Sequence, residues 1–155
     1  MKLLLCICLP VICTACAYFL TQKYKRRKEF FYNLSMFNER LVNEVSYTKV
    51  PLPAFMEKYE FSGDFRKMLE DRKAADFSAQ ISSPAYLTAD ERKFLIDYFG
   101  MIGKSDAASQ KTYLSSLRTE IEERKKNSDE AYKKYFALYI KLGFLAGLML
   151  SILIV

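Results

Sequence analysis

Two long apolar runs, one towards each end of the sequence, limit what this chain can fold into. Leu3 to Leu20 is a stretch of 18 residues without a charge. That is close to the roughly 20 residues that carry an α-helix across a hydrocarbon core about 30 Å thick. Pro10 would break a helix in water but is tolerated in lipid. The other run extends from about Phe136 to Val155, and only Lys141 interrupts it. Lys141 stands near the start of that run, so its ammonium can reach the interface while its stem stays among apolar neighbours. From Leu142 onward 14 uncharged residues remain, about 21 Å of helix at 1.5 Å each. The second crossing therefore depends on Lys141 snorkelling and on the residues before it.

Charge sets the orientation. The net charge is +6, yet between Glu29 and Lys141 the 18 basic and 18 acidic residues cancel. The excess is Lys2 plus one block, Lys23, Lys25, Arg26, Arg27 and Lys28. Dense positive charge just after an apolar run resists translocation and marks the cytoplasmic side. Lys133, Lys134 and Lys141 do the same at the second run. Both signals predict a cytoplasmic middle domain, with both ends of the chain facing or crossing to the other side. The expected layout is an anchor at 1–21, a helical domain at 22–134 and a second anchor at 135–155. A nucleic-acid binder would carry its basic excess on the folded domain, so nucleic acid is not an expected partner and the lipid bilayer is.

A cleaved signal peptide competes for the first run. Lys2 would be its basic start, and Ala15-Cys16-Ala17 resembles a small-residue cleavage site. In that alternative the protein is exported and held by its C-terminal anchor alone. The block from Lys23 to Lys28 argues for retention as an anchor. All four cysteines, Cys6, Cys8, Cys13 and Cys16, lie inside this run. Cys13 and Cys16 have CxxC spacing but no strand–helix context for redox chemistry, and in lipid they read as small apolar residues; reversible acylation is the weaker alternative.

The middle reads as helix. Phe30, Leu34, Phe37, Leu41 and Val45 recur at spacings of four and three, so the first helix continues beyond the anchor. It should end before Val50-Pro51-Leu52-Pro53, because a residue preceding proline avoids the helical region. A short helix near Pro53 to Tyr59, a turn at Ser62-Gly63 and a third helix from Asp64 to about Lys73 follow. Between Ala74 and Tyr86 the pattern predicts a loop or a frayed end. Thr88-Ala89-Asp90-Glu91 is a capping box, opening a helix with Phe94, Leu95, Tyr98, Phe99 and Ile102 on one face and Gly103 at its end. Ser105-Asp106 caps the last element. No proline follows, and the series Leu114, Leu117, Ile121, Ser128, Ala131, Tyr135, Leu138 and Leu142 predicts one long helix running into the membrane. Arg124 and Ser128 interrupt its apolar face and predict loose packing there. The segment Glu120 to Lys134 is highly charged and expected to be solvated or to face a partner. No segment alternates with the period of a strand. The expected fold class is all-α: a helical bundle with an N-terminal and a C-terminal transmembrane helix, each continuous with a domain helix.

Catalytic constellations are missing from the sequence. There is no histidine, the usual general base and commonest metal ligand near neutral pH. No phosphate-binding glycine loop and no nucleophile elbow occurs. Acidic groups such as Glu70-Asp71 and Glu120, Glu122, Glu123 are interspersed with lysine and arginine, as on solvated helix faces. The expectation is a non-enzymatic chain without a cofactor or metal. Two candidate contact sites remain. Gly143-Phe144-Leu145-Ala146-Gly147 with Ser151 places small residues on one helix face, which lets another helix approach closely; the partner is either the first anchor or another protein. Gly100, Gly103, Ser105, Asp106 and Gln110 surround a tight helix–helix corner that is structural or presented to a partner.

Three blocks carry a resemblance. They are Leu41 to Ala54, with Glu44-Val45-Ser46-Tyr47 and Pro51-Leu52-Pro53-Ala54; Phe99-Gly100 with Gly103-Lys104-Ser105-Asp106 and Gln110; and Leu142-Gly143 with Leu145-Ala146-Gly147-Leu148. In order, spacing and total length the chain resembles the stage III sporulation protein AB family of endospore-forming bacteria. The resemblance implies a membrane component of the channel complex between mother cell and forespore, located in the mother-cell membrane around the forespore. It implies similarity to the platform protein F of type II secretion systems, and a companion secretion-type ATPase, stage III sporulation protein AA, among other channel components as partners. A homo-oligomer is also open to it. The middle third, Glu60 to Tyr86, carries no family signature.

Overall fold

The computed structural model describes residues 2–47, 52–74, 83–104 and 106–154, with the side chains of 2–7, Tyr47 and Ile154 excepted. Six helices occur among the described residues, and no strand: α1 Lys2–Tyr47, α2 Leu52–Lys58, α3 Gly63–Ala74, α4 Ala89–Met101, α5 Ala107–Ser116 and α6 Arg118–Ile154. The chain divides into two compact units. One comprises Met1–Lys25 with Asn127–Val155, and the other Arg26–Lys126. Both α1 and α6 contribute residues to both units, so each apolar end segment belongs to the same helix as part of the middle domain. The expected loop between Ala74 and Tyr86 lies mostly outside the described residues, as do Val50 and Pro51.

The Arg26–Lys126 unit is built around aromatic rings. The four-three series of α1 supplies Phe30, Leu34, Phe37 and Leu41, all buried, while Val45 is half-buried. Phe37 is the hub. Its ring centroid lies 5.3 Å from that of Phe55 on α2, 5.7 Å from Phe65 on α3 and 5.6 Å from Phe99 on α4. Most of these pairs are edge-on or tilted, the arrangements that ring quadrupoles favour. Leu114 of α5 and Ile121 of α6 close the core. Two buried asparagines of α1 add polar links inside the core. Asn38 accepts from the Tyr98 hydroxyl at 3.0 Å and donates to the Leu114 carbonyl at 3.2 Å. Asn33 accepts from the Ser62 backbone N–H at 3.1 Å and donates to the Glu29 carbonyl at 2.7 Å. Burial pushes the Tyr98 phenol well above its ordinary range.

Three details depart from the sequence reading. The long helix expected from Ala107 is two helices that meet at Leu117. The Leu117 N–H still reaches the Tyr113 carbonyl at 3.2 Å, but the Ser116 hydroxyl donates to the same carbonyl at 2.7 Å. Serine competing for a backbone acceptor loosens a helix locally. Leu138 and Leu142 are exposed rather than packed, at 45% and 52%. Arg124 does not mark loose packing. It lies 4.4 Å above the Phe94 ring and donates to Glu120 at 2.6 Å and to Asp90 at 2.8 Å.

Candidate interaction surfaces

In the unit made of Met1–Lys25 and Asn127–Val155, α1 and α6 pack through small residues. A Cβ placed on Gly143 would come within 2.6 Å of the Ala17 Cβ and 3.0 Å of the Cys13 carbonyl oxygen. One on Gly147 would collide with the backbone of Pro10. Backbones can approach this closely only where the side chain is hydrogen. Ser151 is buried one turn further on and donates to the Gly147 carbonyl at 2.9 Å. Thr14 turns its hydroxyl inward to the Pro10 carbonyl at 2.7 Å. The faces turned away are apolar and exposed: Val11, Ile12, Phe19 and Leu20 on α1, and Leu145, Met149, Ile152 and Leu153 on α6. An apolar groove of about 620 Å³ runs between Pro10 and Phe19 on α1 and Ile140 and Phe144 on α6.

Aromatic residues mark one end of this pair. Tyr24 stacks on Tyr135 with centroids 4.4 Å apart, and Tyr18 meets Phe136 edge-on at 6.5 Å. Tyrosine is enriched at membrane–water interfaces, where its apolar ring and polar tip suit the two media. Lys23 lies 5.0 Å from the Tyr24 ring centroid and Lys134 5.9 Å from that of Tyr135. Lys133 pairs with Asp129 at 2.6 Å. Lys25 and Lys141 are exposed.

The remaining residues of the basic block serve the other unit. Arg26 forms a bidentate pair with Asp64, both bonds at 2.8 Å. The Tyr86 hydroxyl donates to the same carboxylate at 2.9 Å, and the Arg26 guanidinium lies 5.3 Å from the Tyr86 ring centroid. Arg26 holds the Asp64 carboxyl below the ordinary carboxylate range. Burial, then the hydrogen bond to Asp64, pushes the Tyr86 phenol upward. Arg27 donates to Glu91 at 2.6 and 2.9 Å. Glu91 is 3% exposed and also completes the capping box, accepting from the Thr88 N–H at 2.9 Å. Lys28 is half-buried. The arginine pairings span 38 and 64 residues of sequence, and no local spacing signals them.

At the α4–α5 corner, Ile102 (φ −66°, ψ 128°) and Gly103 (φ 81°) form a type II turn closed by Lys104 N–H to the Met101 carbonyl at 3.3 Å. The third position of such a turn needs positive φ, which glycine supplies. Asp106 caps α5, accepting from the Ala108 and Ser109 N–H groups at 3.1 and 3.2 Å. Hydrogen bonds from Ser109, then from Ala108, hold its carboxyl low. Gln110 is half-buried and donates its backbone N–H to the Asp106 carbonyl at 2.9 Å. Gly100 has open space where a Cβ would lie, so packing does not demand glycine there. Ser105 lies outside the described residues. Beside the corner Ile96 and Met101 are exposed at 43% and 47%. Among the described residues, no group of three or more cysteine and carboxylate side chains is placed to hold a metal.

These features define a helical protein fit for membrane association. Within Ala107–Leu153 lies an apolar window long enough to cross a bilayer, and only 11% of it is buried. The core helix of a soluble protein would be mostly buried. A family model described as stage III sporulation protein AB matches residues 2–155. The chain belongs to the stage III sporulation protein AB family. No curated protein and no solved structure matches it.

Proposed function

We propose that this chain is a non-catalytic platform component of a secretion-like channel complex between mother cell and forespore. Two membrane helices hold it in the mother-cell membrane, and the unit Arg26–Lys126 lies in the cytoplasm, where it docks a secretion-type ATPase of the stage III sporulation protein AA kind. The observation that carries the reading is the α1–α6 pair. Its inner face is packed through Gly143 and Gly147, and its outer faces are apolar.

Export with a cleaved signal fits this packing poorly. Cleavage after Ala17 would remove Pro10, Cys13 and Ala17, the groups that Gly143 and Gly147 approach. The intact mass of the membrane-extracted protein decides between the two, since loss of about 17 residues would contradict the double anchor. The α4–α5 corner is the proposed ATPase contact. Its backbone is fixed by the Gly103 turn and the Asp106 cap, and Ile96 and Met101 are exposed beside it.

Topology is tested with alkaline phosphatase and green fluorescent protein fusions to each end and within the middle unit. A phosphatase reporter active inside the middle unit would sink the proposal. Cross-linking and pull-down from sporulating membranes should recover a secretion-type ATPase. Substituting Asp106 and Met101 together should reduce that recovery without changing membrane extraction.

A further inference from the structure

Lys141 poses a charge problem that its own unit does not solve. The unit of Met1–Lys25 and Asn127–Val155 holds six lysines against two acids, Asp129 and Glu130. Lys133 already pairs with Asp129. Lys141 is exposed, stands seven residues beyond Lys134 inside an apolar segment, and forms no ion pair among the described residues. An ammonium snorkelling from this position reaches the level of the lipid phosphates, and no acid of its own unit pairs with it there.

The groove beside it indicates which anion. Its α6 wall is Ile140 and Phe144. Lys141 adjoins the first in sequence and shares a helix face with the second, three residues on. On α1 the wall ends at Phe19, and Lys23 lies four residues further on the same face. The two helices run in opposite directions, with Pro10 against Gly147 and Tyr24 against Tyr135. Both lysines therefore fall towards the same end of the groove. The groove is open along one side and its exposed surface is apolar, which suits an acyl chain lying under a phosphate at the lysine end.

We infer that the α1–α6 pair binds one anionic phospholipid, its acyl chain in the groove and its phosphate held by Lys141 and Lys23. This rests on the proposal that the pair spans the membrane.

The test uses the full chain purified in mild detergent and offered phosphatidylglycerol or phosphatidylcholine, with retained lipid counted by native mass spectrometry. Wild type should retain phosphatidylglycerol preferentially. Lys141→Leu, which suits a lipid-facing helix, should lower that preference about fivefold, and Lys23→Gln by a similar factor. Lys93→Gln, on the other unit, should leave it unchanged. Inorganic phosphate should not compete, because it lacks the acyl chain. Equal retention of the two lipids, displacement by inorganic phosphate, or full preference in Lys141→Leu with unchanged helicity would each overturn the inference. A cross-link from Lys141 to an acidic residue of another protein, with no lipid preference, would overturn it in favour of a partner helix. Extraction of the chain by alkaline carbonate would instead break the membrane-spanning reading itself.

Discussion

The two units solve the packing problem in opposite ways. In Arg26–Lys126 the contacts are made by the largest side chains the sequence has, with Phe37 touching rings from three other helices. In the α1–α6 pair the close approach is made by small residues, Gly143 and Gly147 against Ala17 and Pro10, with aromatic contacts such as Tyr24 on Tyr135 confined to one end. The proposed membrane span of the α1–α6 pair accounts for the difference. In water, burying an aromatic ring removes a large apolar area, at roughly 25 cal/mol per Å². In lipid an apolar side chain gains nothing by leaving the acyl chains, so helices associate through close backbone approach and van der Waals contact. Large residues then belong on the outside, where Phe19 and Leu153 stand 73% and 84% exposed.

The sharpest way to break this comparison is to truncate the hub of one unit and enlarge the hub of the other. Phe37→Ala should destabilise the aromatic unit by about 4 kcal/mol, read as a lower thermal midpoint of helical circular dichroism in detergent. The same experiment on Phe19→Ala should leave the midpoint nearly unchanged, although the side chain removed is identical. Gly147→Leu reverses the logic. The added side chain has no room against Pro10, so the pair must separate. The midpoint of the aromatic unit should stay unaffected. A fall of that midpoint as large as that of Phe37→Ala would show that the two packings are not separable.

How much of this was legible in the sequence follows the same division. Periodicity located the helices because burial in water repeats with the helical turn: Phe30, Leu34, Phe37 and Leu41 read correctly as a buried face, and the Thr88 capping box read correctly as a helix start. The same rule misplaced Leu138 and Leu142. Extending a water-based pattern into an apolar segment puts leucines at a contact that small residues occupy. The break at Leu117 was hidden because serine hydroxyls perturb a helix without interrupting its apolar spacing. The basic block was read from charge density alone, which does not reveal that Arg26 and Arg27 carry carboxylate partners 38 and 64 residues away. Gly143 and Gly147 stood out as small residues at the right spacing, but the sequence left open whether α1 or another protein meets them.

Those arginines sharpen the comparison at smaller scale. Arg27→Met should cost the aromatic unit about 2–3 kcal/mol, because Glu91 would be left as a buried carboxylate with only the Thr88 N–H. Arg27→Lys should recover part of the loss, since one ammonium cannot reproduce both guanidinium bonds.

The smallest expected effect concerns Asp64 and pH. Its pair with Arg26 is more than half solvent-exposed on the arginine side, so screening keeps the contribution modest. Its sign is nonetheless fixed. Arg26 lowers the Asp64 pKa in the folded protein, so the folded state binds fewer protons than the unfolded one over the acid range. The stabilisation is fully present above the unfolded carboxylate pKa of about 3.9 and is lost as pH falls through the lower folded value. Asp64→Asn should therefore flatten the acid limb of the stability curve below about pH 4, leaving a small constant deficit near neutrality. Raising the salt concentration should shrink that deficit, because an exposed pair is screened. Arg27→Met should respond to salt far less, since Glu91 is buried. Equal salt responses would mean that the two neighbouring arginines, one at the surface and one pointing into the fold, do not differ in burial as the structure has them.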